Sequence, residues 1–254
     1  MEKPYDFSLP KESYVQAIFN SIAAKYDLMN WIMSFGIHQL WCKQLPKLIN
    51  IPHDGMILDA CCGTGSVTLE LARKVEPGIR IIGLDFSKAM LGIAKSRLNN
   101  YISINKIKLI QADASAIPFP DNSFDCVTIA YGLRNSADQK ALLKELKRVT
   151  KPGGQVISLE LVKPVSVILR SFFNVYLHYW VPCLGKILVH DREAYQYLHD
   201  SVFSFIDQYQ LAAMFKEIGF LQIRCFQLTL GIAAIHIGVK PFPLYASVPL
   251  HARK

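Results

Sequence analysis

The sequence predicts a doubly wound α/β fold on a mostly parallel sheet, and three observations carry that expectation. Short apolar runs alternate with helical segments from Met56 onward. The first run, Met56–Leu58, stops at Asp59 and leads through Gly63-Thr64-Gly65 into a helix, a unit that points backbone N–H groups at a crevice. A chain of 254 residues that is 51% hydrophobic can also bury one large core.

Taken in order, residues 1–10 read as a loose lead-in. Ser13–Tyr26 reads as a helix, because Val15, Ile18, Phe19 and Ile22 recur at three- and four-residue spacing. Asn30, Ser34 and Gly36 then predict a break. Helical spacing resumes over Ile37–Ile49 with Leu40, Trp41, Leu45 and Leu48, and Pro46 is expected to end or kink it. Strands are expected at Met56–Leu58, Arg80–Leu84, Lys108–Gln111, Cys126–Ala130 and Val156–Leu161. The helices between them are Val67–Lys74, Ser87–Asn99 with Ser87 as N-cap, and Ala137–Val149. Lys151-Pro152-Gly153-Gly154 reads as a turn into the fifth strand.

Val165–Val189 is almost wholly apolar and aromatic, but Arg170, His178, Lys186 and Pro182 interrupt it. An apolar lid or helical insertion is therefore expected in place of a membrane span. Gln208–Ile218 is a helix closed by Gly219, and Leu221–Leu228 with Gly231–Val239 reads as a hairpin that brings an antiparallel strand into the sheet. The expected organisation is one domain: a helical cap over 11–49, a core over 50–240 that includes an apolar insertion at 165–200, and a dangling tail over 241–254.

The turn lacks the dinucleotide fingerprint, since Thr68 stands at its third glycine position, and a pyrophosphate needs that glycine. Asp85 follows the turn by about 20 residues, at the end of the next apolar run, where a carboxylate can hold ribose hydroxyls. No C-x-x-C pair occurs among the six cysteines, so they read as reduced, mostly buried thiols with no metal site. No window reads as a cleaved signal peptide. The net charge of +8 suits solubility or an anionic membrane surface; Lys and Arg are scattered without a nucleic-acid motif, so no nucleic-acid partner is expected.

Leu58-Asp59, Gly63-Thr64-Gly65, Asp85, Asp113 and Lys151-Pro152-Gly153-Gly154 resemble the class I S-adenosylmethionine-dependent methyltransferases. More specific stretches are Tyr26-Asp27, Met29-Asn30, Ser34-Phe35-Gly36-Ile37-His38, Ile117-Pro118-Phe119-Pro120-Asp121-Asn122-Ser123-Phe124-Asp125, Tyr131-Gly132-Leu133-Arg134-Asn135, Asp191…Tyr195…Tyr197-Leu198 and Gly231–His236. By these the chain resembles the ubiquinone/menaquinone biosynthesis C-methyltransferase family, over about Val15 to Lys240. Three departures stand out: Cys62 where Gly is usual, Ser66 where Asp or Asn is usual, and Ala130 where a Ser hydroxyl can occur.

The resemblance implies a Rossmann-like, seven-stranded sheet with an antiparallel C-terminal strand. It implies S-adenosylmethionine as co-substrate without a metal, and methyl transfer to a ring carbon of a reduced polyprenylated quinol. Demethylmenaquinol is the first expectation and a polyprenyl-methoxybenzoquinol the alternative. The location implied is cytoplasmic, peripherally at the inner membrane face, with room for a homodimer. A dehydrogenase on a similar sheet is disfavoured by Thr68, and a non-catalytic quinone-pathway scaffold is the reading from another class.

The cofactor set that follows from the resemblance is Tyr26, Asp59, Gly63, Thr64, Gly65, Asp85, Met90, Asp113, Ala114 and Ala130. Asp59 either meets the methionine amino group or orients the loop. Asp85 takes the ribose, Asp113 accepts from the adenine amine, and Met90 with Ile117 could sandwich the ring or belong to the core. Cys62 is expected to stiffen the loop and press nearer the cofactor. The catalytic set is Arg134, Asn135, Asp191 and Tyr195, with His38, His199 and His236 as further proton-transfer candidates. Arg134 stays protonated. It either stabilises a phenolate, so that its loss lowers turnover and leaves the melting temperature nearly unchanged, or braces its loop against a carboxylate. The Ser13–Ile49 helices and Val165–Val189 would wall in a polyprenyl tail.

Overall fold

A computed structural model describes residues 11–104, 106–183 and 192–243. Among them seven strands form one sheet in the order β3-β2-β1-β4-β5-β7-β6. The strands are β1 Met56–Ala60, β2 Arg80–Asp85, β3 Ile107–Gln111, β4 Phe124–Ala130, β5 Thr150–Leu161, β6 Leu221–Leu228 and β7 Ala233–Val239. β1 to β5 run parallel, and β7 lies antiparallel between β5 and β6. The expected hairpin is there, and it is β7 that reverses direction. Strand order turns back between β1 and β4, so a crevice opens at their C-terminal ends.

Both faces of the central strands are covered, which is why they are apolar along their length. On one face Leu58, Val127 and Val156 pack with Leu142, Leu146, Phe205 and Phe215; on the other Ile57, Ile81 and Ile157 pack with Leu71, Ala94 and Leu98. α4 (Ser66–Lys74) and α5 (Lys88–Ser103) follow β1 and β2, and Ser87 caps α5 as expected by accepting from Met90 N–H at 3.1 Å. α6 (Gln139–Val149) turns Leu142, Leu143, Leu146 and Val149 inward. No helix joins β3 to β4. The 117–123 part of the long motif is instead an ordered loop leading into β4, and its carbonyls of Ile117 and Phe119 accept from Arg148, so it acts here as a brace. Lys151–Gly154 is a bulge and not a lead-in turn: β5 already pairs at Thr150 with Phe124, and pairing resumes at Gln155 with Cys126.

The cap departs most from expectation. α1 runs from Lys11 to Met33, seven residues past the expected end at Tyr26. Met29 is 1% exposed and continues the apolar stripe, and the helix stops only where Phe35 and Gly36 turn left-handed. The expected Ile37–Ile49 helix is two, α2 (Ile37–Cys42) and α3 (Leu45–Leu48), with Pro46 in the first turn of α3, where no N–H is needed. α7 (Val167–Val175) runs into a π-helical turn, Tyr176–Trp180, and among the described residues no helix is long and apolar enough to cross a membrane. α8 (Arg192–Ser204) and α9 (Gln208–Ile218, ending at Gly219) complete the set, with a capping box from Asp207 and Gln210 on α9. The lead-in and residues 244–254 lie outside the described residues; Phe242, at the start of the tail, rests on Gly153.

Candidate active site

The ends of β1, β2 and β4 enclose a cleft of about 790 Å³. Two non-glycine residues adopt left-handed backbone there, Cys61 after β1 (φ 54) and Tyr131 after β4 (φ 59). They meet at Gly132, where an added Cβ would lie 2.7 Å from Cys61 Cβ, so only glycine lets these two turns close. Asp85 fixes the floor: its Oδ2 accepts from Gly63 N–H at 2.8 Å and its Oδ1 from Ser87 N–H at 2.8 Å. Each oxygen keeps a lone pair for a further donor. Burial pushes this carboxyl up, and the backbone donors pull it back toward ionisation.

Gly63, Asp85, Met90, Asp113, Ala114, Ala130 and Tyr26 all line this cleft. Asp113 Oδ1 accepts from Ser115 N–H at 2.7 Å, which shapes the turn at the apolar end beside Met90 and Leu142. Ile117 packs in the core, away from the lining. An added Cβ on Gly63 would meet nothing within 4 Å, so its backbone faces open space. A carboxylate with spare acceptors, an open glycine and an apolar slot suit a ribose and an adenine, so the residues fit S-adenosylmethionine.

The other predicted cofactor residues work behind the cleft. Asp59 is 1% exposed and sits within β1; it accepts from Thr68 Oγ1 at 2.6 Å and Thr128 Oγ1 at 2.8 Å, the geometry of a loop brace. Burial raises its carboxyl to about 6, against the pull of both hydroxyls. Thr68 thus fills the space where a dinucleotide fold needs glycine. Thr64 Oγ1 donates to Asp27 of α1 at 2.7 Å, Arg97 of α5 binds the Thr64 carbonyl at 2.9 Å, and Arg97 bridges back to Asp27. Gly65 packs on α5.

Of the departures, Ser66 Oγ accepts from Arg97 at 2.6 Å and so joins this clasp. Cys62 corrects the expectation attached to it: its φ is ordinary, and its Sγ turns beneath Gly83 and not into the cleft. Ala130 lines the cleft without a polar atom.

A second chamber of about 1150 Å³ adjoins the first, and Tyr26 and Tyr131 line both. Its wall comes from the end of α1, from α2, and from Phe172, Phe173 and Tyr176 on α7 and the π turn. Arg134 lines it from the turn after β4, 7% exposed. Nη1 donates to Glu160 Oε2 at 2.8 Å and to the Tyr131 carbonyl at 2.9 Å, while Nε–H is buried with no hydrogen-bond partner. Burial opposes the charge of Arg134, but Glu160 outweighs burial and holds the guanidinium protonated. Arg134 is therefore a loop brace by contact and a chamber residue by position. The fully buried Glu160 partner speaks for the loop-brace alternative and for a loss of stability when Arg134 is removed.

Asn135 Nδ2 donates to the Tyr131 carbonyl at 2.9 Å, and Tyr197 Oη donates to Asn135 Oδ1 at 3.1 Å. Asp191 lies outside the described residues, and of Tyr195 only the backbone, within α8, is described. His38 lines the second chamber. His199 is occupied by Asp200 and Asn174, and His236 is fully buried in the core against the Gln208 carbonyl at 2.8 Å. Sequence reasoning missed Glu160 and the Asp27–Arg97 clasp. Glu160 had a signal, a lone carboxylate inside an apolar strand, which must find a cation. Among the described residues no cluster of three or more His, Cys, Asp or Glu could hold a metal.

A model of the ubiE/COQ5 methyltransferase family matches residues 8–240. The chain is 40% identical over 230 residues to the ubiquinone/menaquinone biosynthesis C-methyltransferase UbiE of Hahella chejuensis, covering 91% of this chain and 92% of that protein. It is 39% identical over 226 residues to demethylmenaquinone methyltransferase of Staphylococcus aureus, covering 89% and 92%. Among solved structures, a SAM-dependent methyltransferase of Thermotoga maritima aligns with a TM-score of 0.63 at 19% identity, over 88% of this chain and 98% of that one. One from Methanococcus maripaludis aligns at 0.61 and 19%, over 89% and 94%. These two share the fold; the relatives at 39–40% fix the kinship. The chain belongs to the ubiE/COQ5 methyltransferase family and is a methyltransferase that uses S-adenosylmethionine as co-substrate.

Proposed function

We propose that this protein methylates a ring carbon of a reduced polyprenylated quinol, demethylmenaquinol to menaquinol. The observation that carries the reading is the apolar chamber set against the cofactor cleft behind Tyr26 and Tyr131, with a buried Arg134 whose Nε–H lacks a partner. An apolar tail fits its walls, and the Arg134 guanidinium sets a positive charge at the wall for a ring oxygen. The Staphylococcus relative is named for demethylmenaquinone. The name of the Hahella relative spans both quinone pathways and keeps a methoxybenzoquinol as the second reading.

Bound in the cleft, S-adenosylmethionine supplies an electrophilic methyl on a sulfonium. The protein's part is to hold the ring in line, exclude water and favour the phenolate. Arg134 is already paired with Glu160, and it meets negative charge on the ring only as the hydroxyl loses its proton, so its help to the ring is differential. Asn135, held by Tyr197, orients the same corner. Asp59 and the Asp27–Arg97–Thr64 clasp keep the glycine loop and α1 in register.

A substrate with such a tail resides in a bilayer. Trp31, Phe35 and Leu40 of the cap and Phe172 and Trp180 of the insertion are more than half exposed. Residues 28–48 and 161–183 contain no Asp or Glu, but do contain Lys43, Lys47, Lys163 and Arg170. These features support peripheral docking at an anionic membrane, on the cytoplasmic face. Single-turnover reactions with labelled S-adenosylmethionine and reduced demethylmenaquinol, run beside a reduced methoxybenzoquinol, test the assignment. Product with the second and none with the first would reverse the ring, and product with neither would remove the quinol.

A further inference from the structure

Deprotonating the ring hydroxyl needs an acceptor, and the quinol reading, on which this inference rests, does not name one. A phenol titrates near pH ~10, so an unassisted ring hydroxyl is almost fully protonated at neutral pH. Among the described residues no carboxylate lines the second chamber. Glu160 is taken by Arg134, and Asp27 by Thr64 and Arg97. Burial pushes the Tyr26 and Tyr131 phenols upward, so neither offers a phenolate. Of the described histidines only His38 lines the chamber.

Its surroundings fix how it is protonated. Ser34 Oγ lies 2.6 Å from the Asn30 carbonyl, one turn back, and 2.6 Å from His38 Nδ1. A carbonyl only accepts, so the single hydroxyl proton of Ser34 goes to Asn30. Nδ1 must then carry a proton and donate it to Ser34 Oγ, which leaves the Nε2 lone pair as an acceptor. No described residue hydrogen-bonds Nε2. On the same short helix Cys42 packs in one apolar cluster with Tyr131, so α2 abuts the wall shared by both cavities.

We propose that His38 is the catalytic base, with Nε2 accepting the hydroxyl proton of the bound quinol. As that O–H bond breaks, electron density moves onto the adjacent ring carbon. That carbon forms the new carbon–carbon bond while the methyl–sulfur bond breaks and sulfur keeps the pair. The proton on the methylated carbon then leaves to solvent, and the imidazolium returns its proton to the ring oxygen. One proton is released per turnover, and no oxidant is needed. An oxidised quinone has no hydroxyl proton to give, so the same acceptor favours the reduced ring.

The groups facing this corner are Asp27 and Tyr26 on α1, Tyr131 and Arg134 after β4, and Tyr176 after α7. Burial lowers the imidazole, and the Asp27 carboxylate partly offsets that. Burial also raises Tyr176. Burial raises the Asp59 carboxyl to about 6, and it also pushes up Asp85 and Glu160, so a variant must separate His38 from these groups in the acid limb.

The test uses the full chain with S-adenosylmethionine and a 2-prenyl-1,4-naphthoquinol kept reduced. His38→Gln should lower kcat by roughly 10²–10⁴-fold, the range for a lost general base, and abolish the His38 part of the acid limb. S-adenosylmethionine affinity and Tm should stay near wild type, and added imidazole should restore part of the turnover of His38→Ala. In the wild-type protein, nitrogen NMR should find His38 protonated on Nδ1. An Nε2–H tautomer overturns the proposal, as does a His38→Gln enzyme within about threefold of wild type, or one whose loss follows lowered Tm and cofactor affinity. If the wild type methylates quinol and His38→Gln keeps pace, only this proposal falls. If the wild type methylates no quinol, the quinol reading falls with it.

Discussion

Replacing Arg134 by Ala removes one half of a buried ion pair at the wall of the second chamber. Glu160 would keep the N–H groups of Leu133 and Arg134, at 2.7 and 3.3 Å, and lose Nη1 at 2.8 Å. With the carboxylate 0% exposed, the unpaired charge costs about 3–5 kcal/mol. At about 2–4 °C per kcal/mol for a chain of this size, the melting temperature should fall by about 6–20 °C. Turnover of the folded fraction should fall by roughly 10²–10³-fold, the range for a lost electrostatic stabiliser. Arg134→Lys separates the two effects. It keeps a cation for Glu160 and recovers much of the stability, but lacks the planar guanidinium and should stay slow. Calorimetry and single-turnover rates at a permissive temperature read both quantities. A melting temperature within a degree of wild type for Arg134→Ala would refute the buried-pair argument. Full turnover by Arg134→Lys would refute the role of the guanidinium.

Four further outcomes are expected. Asp85→Ala should weaken S-adenosylmethionine binding by roughly 1–3 kcal/mol in titration calorimetry, and unchanged affinity would take Asp85 out of the site. Asp59 has a folded value of about 6, above its unfolded value of about 3.9, so the folded state binds the proton more tightly and its stabilisation is lost as pH rises through that window. Relative to wild type, Asp59→Asn should therefore gain about 2 kcal/mol between pH 4 and 7; a pH-independent difference would contradict the shift. Arg97→Ala opens the clasp on α1 and, for a partly exposed pair worth about 1 kcal/mol, should speed cofactor release about fivefold in stopped flow. Phe172→Ser with Trp180→Ser should reduce flotation with anionic vesicles, and wild-type binding should weaken with salt; equal binding to neutral vesicles would exclude the electrostatic part.

Local chemistry was enough wherever an element's neighbours in sequence decide its conformation. Gly219 ends α9 and Ser87 caps α5 because each satisfies backbone groups within a turn of itself. Strand–helix alternation likewise implied a parallel sheet, and the spacing from Gly63 to Asp85 placed a carboxylate at the crevice, since strands of similar length end at the same level. The end of α1 was not legible. Asn30 and Ser34 look like breakers locally, but burial of Met29 in the cluster formed with Phe173, Leu177 and Val202 of the insertion and α8 outweighs their weak preference. The roles of Asp59 and Arg134 depend on partners from other strands, Thr128 69 residues away and Glu160 26 residues away. Those contacts exist only once β1, β4 and β5 pair side by side. Residue types told which groups could carry the chemistry; packing decided which of them face the cleft and which hold it in place.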